Sequence, residues 1–517
     1  MRALIALLLP LVATAAADYD ILIRNARVID GSGNPWFRAD VAIKDGRIAA
    51  VGHLLEASAG RTIDARERIV APGFIDVHVH VEGNLERSPA AENFLRDGVT
   101  TVITGNCGGS ELNLAQWFQK IEKLGLGVNV GSLVGHNTVR REVMGAANRL
   151  ATADEIERMQ SLVDRAMLDG AVGFSTGLEY VPGTYSNTAE VVALARAAAA
   201  HGGVYTSHMR DEGIHEIEAI TEALNVGKEA GLPVEISHLK IDRRSVWGAS
   251  DQSLALIEKY RREGVEVIAD QYPYDRAATN LGIRLPSWAL AEGKIKERLA
   301  DAETRAKIAV AMKRSLAEMG EPDYSFATVA RFTPKPAYEG RTITEITATN
   351  GRPAGVDGDI ETIFEMMSAG GASMIYRLMG EADIERIMRY PYTAVASDGG
   401  VTEMGSGNPH PRSYGTNARV LSEYVRVRGV LTLPDAVRRM TSLPAQMFRL
   451  RGRGLVREGM AADLVIFDPA RVEDKATFAR PHQYSAGFDY VLVNGKVAID
   501  DGRMSSDRGG VVVRRGR

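Results

Sequence analysis

The sequence predicts an α/β chain: a (β/α)8 TIM barrel, a small β-sandwich assembled from both chain ends, and an insertion between the last two barrel strands. Three observations predict it. Apolar β-type runs alternate with helical patterns through the middle of the chain, several of those runs end in a metal ligand or an acid, and the two ends carry the same hairpin-like alternation.

The N-terminus comes first. Arg2 precedes the apolar run Ala3 to Val12, and Ala13-Thr14-Ala15-Ala16-Ala17 supplies small residues before Asp18. This order reads as a signal peptide over residues 1–17, hence export to a periplasmic or extracellular space. Residues 18–70 follow as half of the sandwich. Asp20–Ile29 and Asp40–Gly52 alternate apolar and polar residues, with Asp45-Gly46 as a hairpin turn. Residues 451–517 supply the other half, through Asp463–Phe467 and Asp489–Ile499 around Asn494-Gly495.

Between them, residues 71–450 read as the barrel. Predicted strands are Gly73–His80, Thr100–Cys107, Val128–His136, Ala171–Gly177, Gly203–His208, Pro233–Leu239, Val265–Tyr274 and Tyr392–Asp398. Helical spacing fills Ala153–Leu168, Thr188–Ala200, His215–Glu229 and Asp251–Arg262. The seventh and eighth strands stand too far apart for one helix. The charged helical stretch Lys294–Glu318 and the Thr-, Pro- and Lys-rich Tyr324–Ile343 therefore read as an insertion over about residues 284–345, above the barrel mouth.

Composition narrows the function. A chain of 517 residues with 45% hydrophobic residues can bury a large core, and a net charge of -4 without a basic run argues against nucleic acid. No interior stretch is long and apolar enough to span a bilayer, so the mature chain has no membrane span. Length and composition allow a large enzyme acting on a small-molecule substrate.

The strand ends carry the chemistry. In a strand, side chains two apart share a face, so His78-Val79-His80 aims two imidazoles at one point beyond the sheet. The single cysteine, Cys107, closes the second strand, while His208 and His238 close the fifth and sixth. One cysteine forms no internal disulfide, and a metal-bound thiolate is a stable fate for it in an oxidising compartment. Asp398 puts a carboxylate at the end of the eighth strand, where barrel enzymes carry their active sites.

In order along the chain, these segments match a known pattern: Pro72-Gly73-Phe74-Ile75-Asp76-Val77-His78-Val79-His80, Gly105-Asn106-Cys107-Gly108-Gly109-Ser110, Gly177-Leu178-Glu179-Tyr180-Val181-Pro182-Gly183, Ser207-His208-Met209-Arg210, Ser237-His238-Leu239-Lys240, Asp270-Gln271-Tyr272-Pro273-Tyr274, Ser397-Asp398-Gly399 and His410-Pro411-Arg412. The chain resembles the N-acyl-D-amino-acid deacylases (D-aminoacylases) of the amidohydrolase superfamily, over nearly its whole mature length. The resemblance implies zinc-dependent hydrolysis of an N-acyl-D-amino acid. It implies that Cys107, His208 and His238 hold a tight Zn2+ and that His78 and His80, sharing Cys107, form a second, weaker metal position. Many relatives bridge two metals with a lysine ending the fourth strand. Here that strand reads Gly173-Phe174-Ser175-Thr176-Gly177 and offers none, so Cys107 is the substitute.

Asp398 is then expected to take a proton from the attacking water and return it to the leaving amine. The resemblance points to Lys240, a tyrosine of the Tyr272/Tyr274 pair and Arg412 as a clamp for the substrate carboxylate, with Tyr180 or Tyr185 nearby, and to Arg284 as a partner for an acidic D-side chain. His136 is expected to hydrogen-bond around the metal site; His53, His201, His215 and His482 read as ordinary. The chain departs from the pattern at Val81-Glu82-Gly83-Asn84, where an aspartate pair is expected. The alternative is another hydrolase of the superfamily, a cyclic amidase or dipeptidase, which shares barrel, His-x-His and aspartate but needs no carboxylate clamp.

Overall fold

A computed structural model describes residues 17–515, so the predicted signal peptide lies outside the described residues except for Ala17. The described chain starts in β1 (Tyr19–Val28), β2 (Phe37–Lys44), β3 (Arg47–Gly52), β4 (Ala59–Asp64) and β5 (Ile69–Pro72). Asp45 and Gly46 join β2 to β3 with φ of 50° and 74°, the left-handed pair that a two-residue hairpin requires.

The parallel strands follow: β6 (Phe74–Asp76), β7 (Val99–Thr104), β8 (Asn129–Ser132), β9 (Val134–Gly135), β10 (Gly173–Gly177), β11 (Val204–His208), β12 (Val234–Ile236) and β13 (Val267–Gln271). Next come β14 (Arg276–Asn280), β15 (Ala327–Arg331) and β16 (Ser373–Arg377), then the last parallel strand β17 (Thr393–Val395). Helices Ala153–Leu168, Thr188–Ala200, Glu216–Ala230 and Ser250–Arg262 separate successive strands, close to the predicted bounds.

The parallel strands form two sheets, β6-β7-β8 and β17-β13-β12-β11-β10-β9, not the single closed sheet predicted. The ladder breaks where Leu133 divides the predicted third strand into β8 and β9, and where the chain after β17 turns through left-handed Asp398 (φ 51°). Main-chain bonds nonetheless span the gap between the sheets: His80 N–H donates to Gly399 O at 2.8 Å, and Asp398 N–H donates to His78 O at 2.8 Å. Ile75, Ile103, Leu133, Val172, Val204, Ile268 and Ala394 from these strands share one core with Leu443 and Phe448.

The insertion is larger than residues 284–345. β14 and β15 both pair antiparallel with β16, so it runs from Arg276 to Arg377 and includes helices Ala302–Met319, Ile343–Thr349 and Val356–Ser368. β14 is only half-buried and lacks a clean alternation, which hid it from a reading by period. The predicted helix 294–318 is broken at Asp301, whose carboxylate caps the second piece by accepting from Thr304 N–H.

β18 (Leu464–Phe467), β19 (Phe488–Val493), β20 (Lys496–Asp500) and β21 (Arg503–Met504) complete the chain. They join β1–β5 in one nine-stranded sheet, in which β18 lies between β19 and β5. That sheet has its own core, including Ile23, Val41, Val70, Leu464, Ile466 and Leu492. The last described residues leave it: Val130 N–H donates to Val511 O and Val513 N–H to Val130 O, so the tail lies along β8 instead of within the sheet predicted for 451–517. Among the described residues no helix is long and apolar enough to cross a membrane.

Candidate metal centre and active site

The parallel strand ends converge on Cys107. Its Sγ lies 3.3 Å from His78 Nε2, 3.5 Å from His238 Nε2 and 3.8 Å from His208 Nδ1, and the last two nitrogens are 2.8 Å apart. Cys107, His238 and Asp398 have φ of 52°, 36° and 51°, conformations that L-residues adopt reluctantly and that recur where a site holds them. Gly177, which ends the fourth strand, has no room for a side chain. A Cβ there would stand 2.1 Å from Cys107 O, so a side chain at that point and Cys107 in its present place exclude each other.

The outer nitrogens decide what the rings can do. His78 Nδ1 meets Asp270 Oδ2 at 3.1 Å, His208 Nε2 meets Glu179 Oε2 at 3.1 Å, and His238 Nδ1 meets Glu212 Oε1 at 3.0 Å. The outer nitrogen of His238 also faces Lys240 Nζ at 2.8 Å, whereas His78 and His208 each hold a carboxylate on the outer nitrogen and turn the other nitrogen inward toward the thiol. That is the arrangement by which proteins fix metal-ligating imidazoles. The donor set, thiolate plus imidazole, suits zinc. His78, His80 and Cys107 form one group able to hold an ion, and Cys107, His208 and His238 another.

Asp398 stands beside both. Its Oδ1 is 3.1 Å from His80 Nε2 and 3.7 Å from His78 Nε2, while Oδ2 is 2.9 Å from Arg412 Nη1. Burial opposes its charge, but the Arg412 guanidinium and the His80 hydrogen bond outweigh burial and hold the carboxyl well below the usual range. Burial, followed by the nearby charge of Asp398 and Glu212, pushes the Cys107 thiol well up; a bound dication reverses that order and leaves a thiolate.

Arg412 lies over the Tyr272 ring at 4.7 Å, and Lys240 Nζ is 6.0 Å from the same ring and 2.7 Å from Glu212 Oε2. Arg412, Lys240 and Tyr272 line one cavity of about 500 Å3 with His80, Cys107, His208, His238, Asp398, Tyr180 and Arg284. Tyr272 Oη is buried there without a partner. Arg284 is buried, stacked 4.8 Å from the Tyr376 ring, and its Nε has no partner.

Residues 61–499 match the sequence profile of the amidohydrolase family. The chain belongs to that family. The amidohydrolase is 37% identical over 518 residues to the N-acyl-D-glutamate deacylase of Alcaligenes xylosoxydans xylosoxydans, across 96% of each chain. It is 34% identical over 520 residues to the D-aminoacylase of the same organism, across 96% of this chain and 98% of the relative. Its fold matches the crystal structure of N-acyl-D-glutamate deacylase from Bordetella bronchiseptica, complexed with zinc and a phosphonate mimic of the tetrahedral intermediate. The TM-score is 0.83 at 34% identity, over 96% of this chain and 99% of that one.

Two residues expected at the amidohydrolase's cavity are elsewhere. Tyr274 is buried with its Oη on Asp474 Oδ2 at 3.1 Å, because the C-terminal segment supplies that acid next to its strand. Tyr185 donates to Ser287 O at 2.6 Å, so of the expected pair only Tyr180 lines the cavity. His136 Nε2 meets Glu190 Oε1 at 2.9 Å inside a buried network with Arg140, not the metal-ligand rings. Glu82, at the departure from the family pattern, accepts from Thr104 Oγ1 and Gly105 N–H and so braces the turn into Cys107.

Sequence reasoning missed Glu179, Glu212 and Asp270, the acids behind the rings, and also His410. Glu179 and Asp270 sit inside segments that carry the family pattern, and an acid at a strand end was the available signal. His410 accepts from Arg412 N–H through Nδ1 and meets Arg276 O through Nε2, tying the arginine to the start of the insertion.

Proposed function

We propose that the protein is a zinc-dependent hydrolase that cleaves N-acyl-D-amino acids to a carboxylate and a free D-amino acid. The observation that carries this reading is the group Arg412, Lys240 and Tyr272 in the same cavity as Asp398 and the Cys107–histidine cluster. An arginine fork, a lysine and a phenol beside a hydrolytic centre suit a substrate with a free carboxylate next to the scissile amide. A cyclic imide has no such group to offer, which disfavours the cyclic amidase.

Cys107, His208 and His238 would hold the tight ion, and His78 and His80 with Cys107 a weaker second one. When bound, zinc supplies a Lewis acid for the amide carbonyl and lowers the pKa of water toward neutrality. Asp398, ionised at neutral pH, accepts the proton of the attacking water and delivers it to the amine nitrogen as the C–N bond breaks. Arg412 orients that carboxylate through Oδ2 while sharing its other donors with the substrate's carboxylate.

The D configuration and a preference for an acidic side chain opposite Arg284 draw support from the deacylase relatives and from the unpartnered guanidinium Nε. We also read the two parallel sheets as arcs of one (β/α)8 barrel, on the strength of the His80–Gly399 and Asp398–His78 bonds, and the nine-stranded sheet as the sandwich. Export is read from Arg2 and the apolar run after it. Turnover of N-acetyl-D-glutamate, N-acetyl-D-aspartate and N-acetyl-D-leucine against their L forms tests the activity. Faster L turnover, or no D turnover by zinc-loaded protein, overturns it.

A further inference from the structure

The cavity has an annexe on the side away from the carboxylate clamp. In the sheet β17-β13-β12-β11-β10-β9, Asp398, Tyr272 and Lys240 follow β17, β13 and β12, whereas Glu179 and Tyr180 follow β10. His208 and His238, from β11 and β12, lie between the two sides, and the Tyr180 ring is 4.4 Å from that of His208. In a trans amide the acyl carbon chain and the amino-acid Cα leave the C–N bond in opposite directions. With the carboxylate on Arg412, the acyl chain is directed toward Tyr180.

There the chain meets a second cavity of about 250 Å3, which shares Glu179, Tyr180, Asn280 and Ile283 with the first. Its own walls are Val181, Leu285 and Leu290. Several of the polar groups around it are already engaged, the Asn280 amide and the Ser287 hydroxyl being the exceptions. Tyr180 Oη accepts from Thr279 Oγ1 at 3.0 Å, Ser287 O accepts from Tyr185 Oη at 2.6 Å, Glu179 serves His208, and Asn280 O accepts from Tyr376 Oη at 3.2 Å. A ligand entering the annexe finds apolar surface and few free hydrogen-bonding groups, which suits an alkyl chain and disfavours a sugar or peptide.

We propose that this annexe is the acyl subsite, and that the preferred acyl group is a straight saturated chain longer than acetyl. The inference rests on the proposed N-acyl-D-amino-acid hydrolysis. The test is kcat/KM of the zinc-loaded protein for N-acetyl-, N-butyryl-, N-hexanoyl- and N-octanoyl-D-glutamate. Burial of each methylene supports a gain of roughly 3- to 4-fold until the annexe is full, so the hexanoyl substrate should exceed the acetyl one by at least about 10-fold. Leu290→Trp, which fills the annexe, should bring that ratio down toward one, and Leu290→Ala should keep it above one. If the tryptophan variant does not fold, Val181→Phe on another wall is read in the same way. Hydrolysis of the acetyl substrate with no gain on lengthening, or a ratio that Leu290→Trp leaves unchanged, overturns the subsite and leaves the activity standing. No hydrolysis of any D substrate overturns both.

Discussion

Asp398 has three neighbours that matter: His80 and His78 on one oxygen, Arg412 on the other. Asp398→Asn keeps the shape and removes the proton acceptor. Its kcat should fall by about 10²–10⁴-fold while zinc content stays near one tight equivalent; near-normal turnover would remove Asp398 from the mechanism. Cys107 plays the opposite part, since three imidazole nitrogens lie within 3.8 Å of its sulfur. Cys107→Ala should lose the tight zinc and activity together, and full occupancy by elemental analysis would contradict the assignment. Arg412→Ala should act on binding. Loss of the fork is expected to raise KM for N-acyl-D-amino acids by an amount equivalent to about 2–4 kcal/mol, with zinc content unaffected.

At the scale of the elements, strands deliver ligands and the helices behind them carry unusual acids. Glu216, in the first turn of helix Glu216–Ala230, is buried, bonded to Ser253 Oγ at 2.8 Å and left with Oε1 unpartnered. Burial raises its pKa from 4.5 to about 9, so the native protein keeps a proton that the unfolded chain releases. Stability from this group is complete below pH about 4.5 and declines as pH rises toward about 9. Glu216→Gln should flatten that decline, seen as urea midpoints at pH 5, 7 and 9 that converge relative to wild type. An unchanged slope would mean that Glu216 is ionised when folded.

The whole molecule depends on its two ends meeting. β18 pairs with β5 from Leu464 opposite Pro72 to Phe467 opposite Ile69, and β5 leads directly into β6 and His78. Removing residues 461–517 would strip β5 of β18, leave it paired only to β1 with its buried apolar edge exposed, and free β8 from the tail, although every proposed catalytic residue remains. Such a chain should be insoluble or melt well below the full protein in a thermal scan. A truncated protein with an unchanged melting temperature would show that the barrel stands without the sheet.

His78, His80, Cys107, His208, His238 and Asp398 were legible in the sequence because the signal is local: a period-two run that closes in a metal ligand or an acid. The hairpin turns were legible for the same reason, Asp45-Gly46 and Asn494-Gly495 both occupying left-handed conformations. What lies across the chain was not. Tyr272 and Tyr274 stand two residues apart just beyond β13 and read alike in sequence, and the Tyr274 bond to Asp474, 200 residues on, holds that ring away from the cavity. Glu179 and Asp270 became partners of His208 and His78, and Glu212 of Lys240 beside His238, only when separate strands came side by side. The extent of the insertion likewise depended on β14 finding β16, a pairing between segments about a hundred residues apart. Sequence by itself determined which residues could bind a metal and move a proton, since residue chemistry and strand period travel with the chain. Tertiary structure alone decided which acids orient them and which side chains face the cavity, since those contacts are made between distant segments and leave no local period to read.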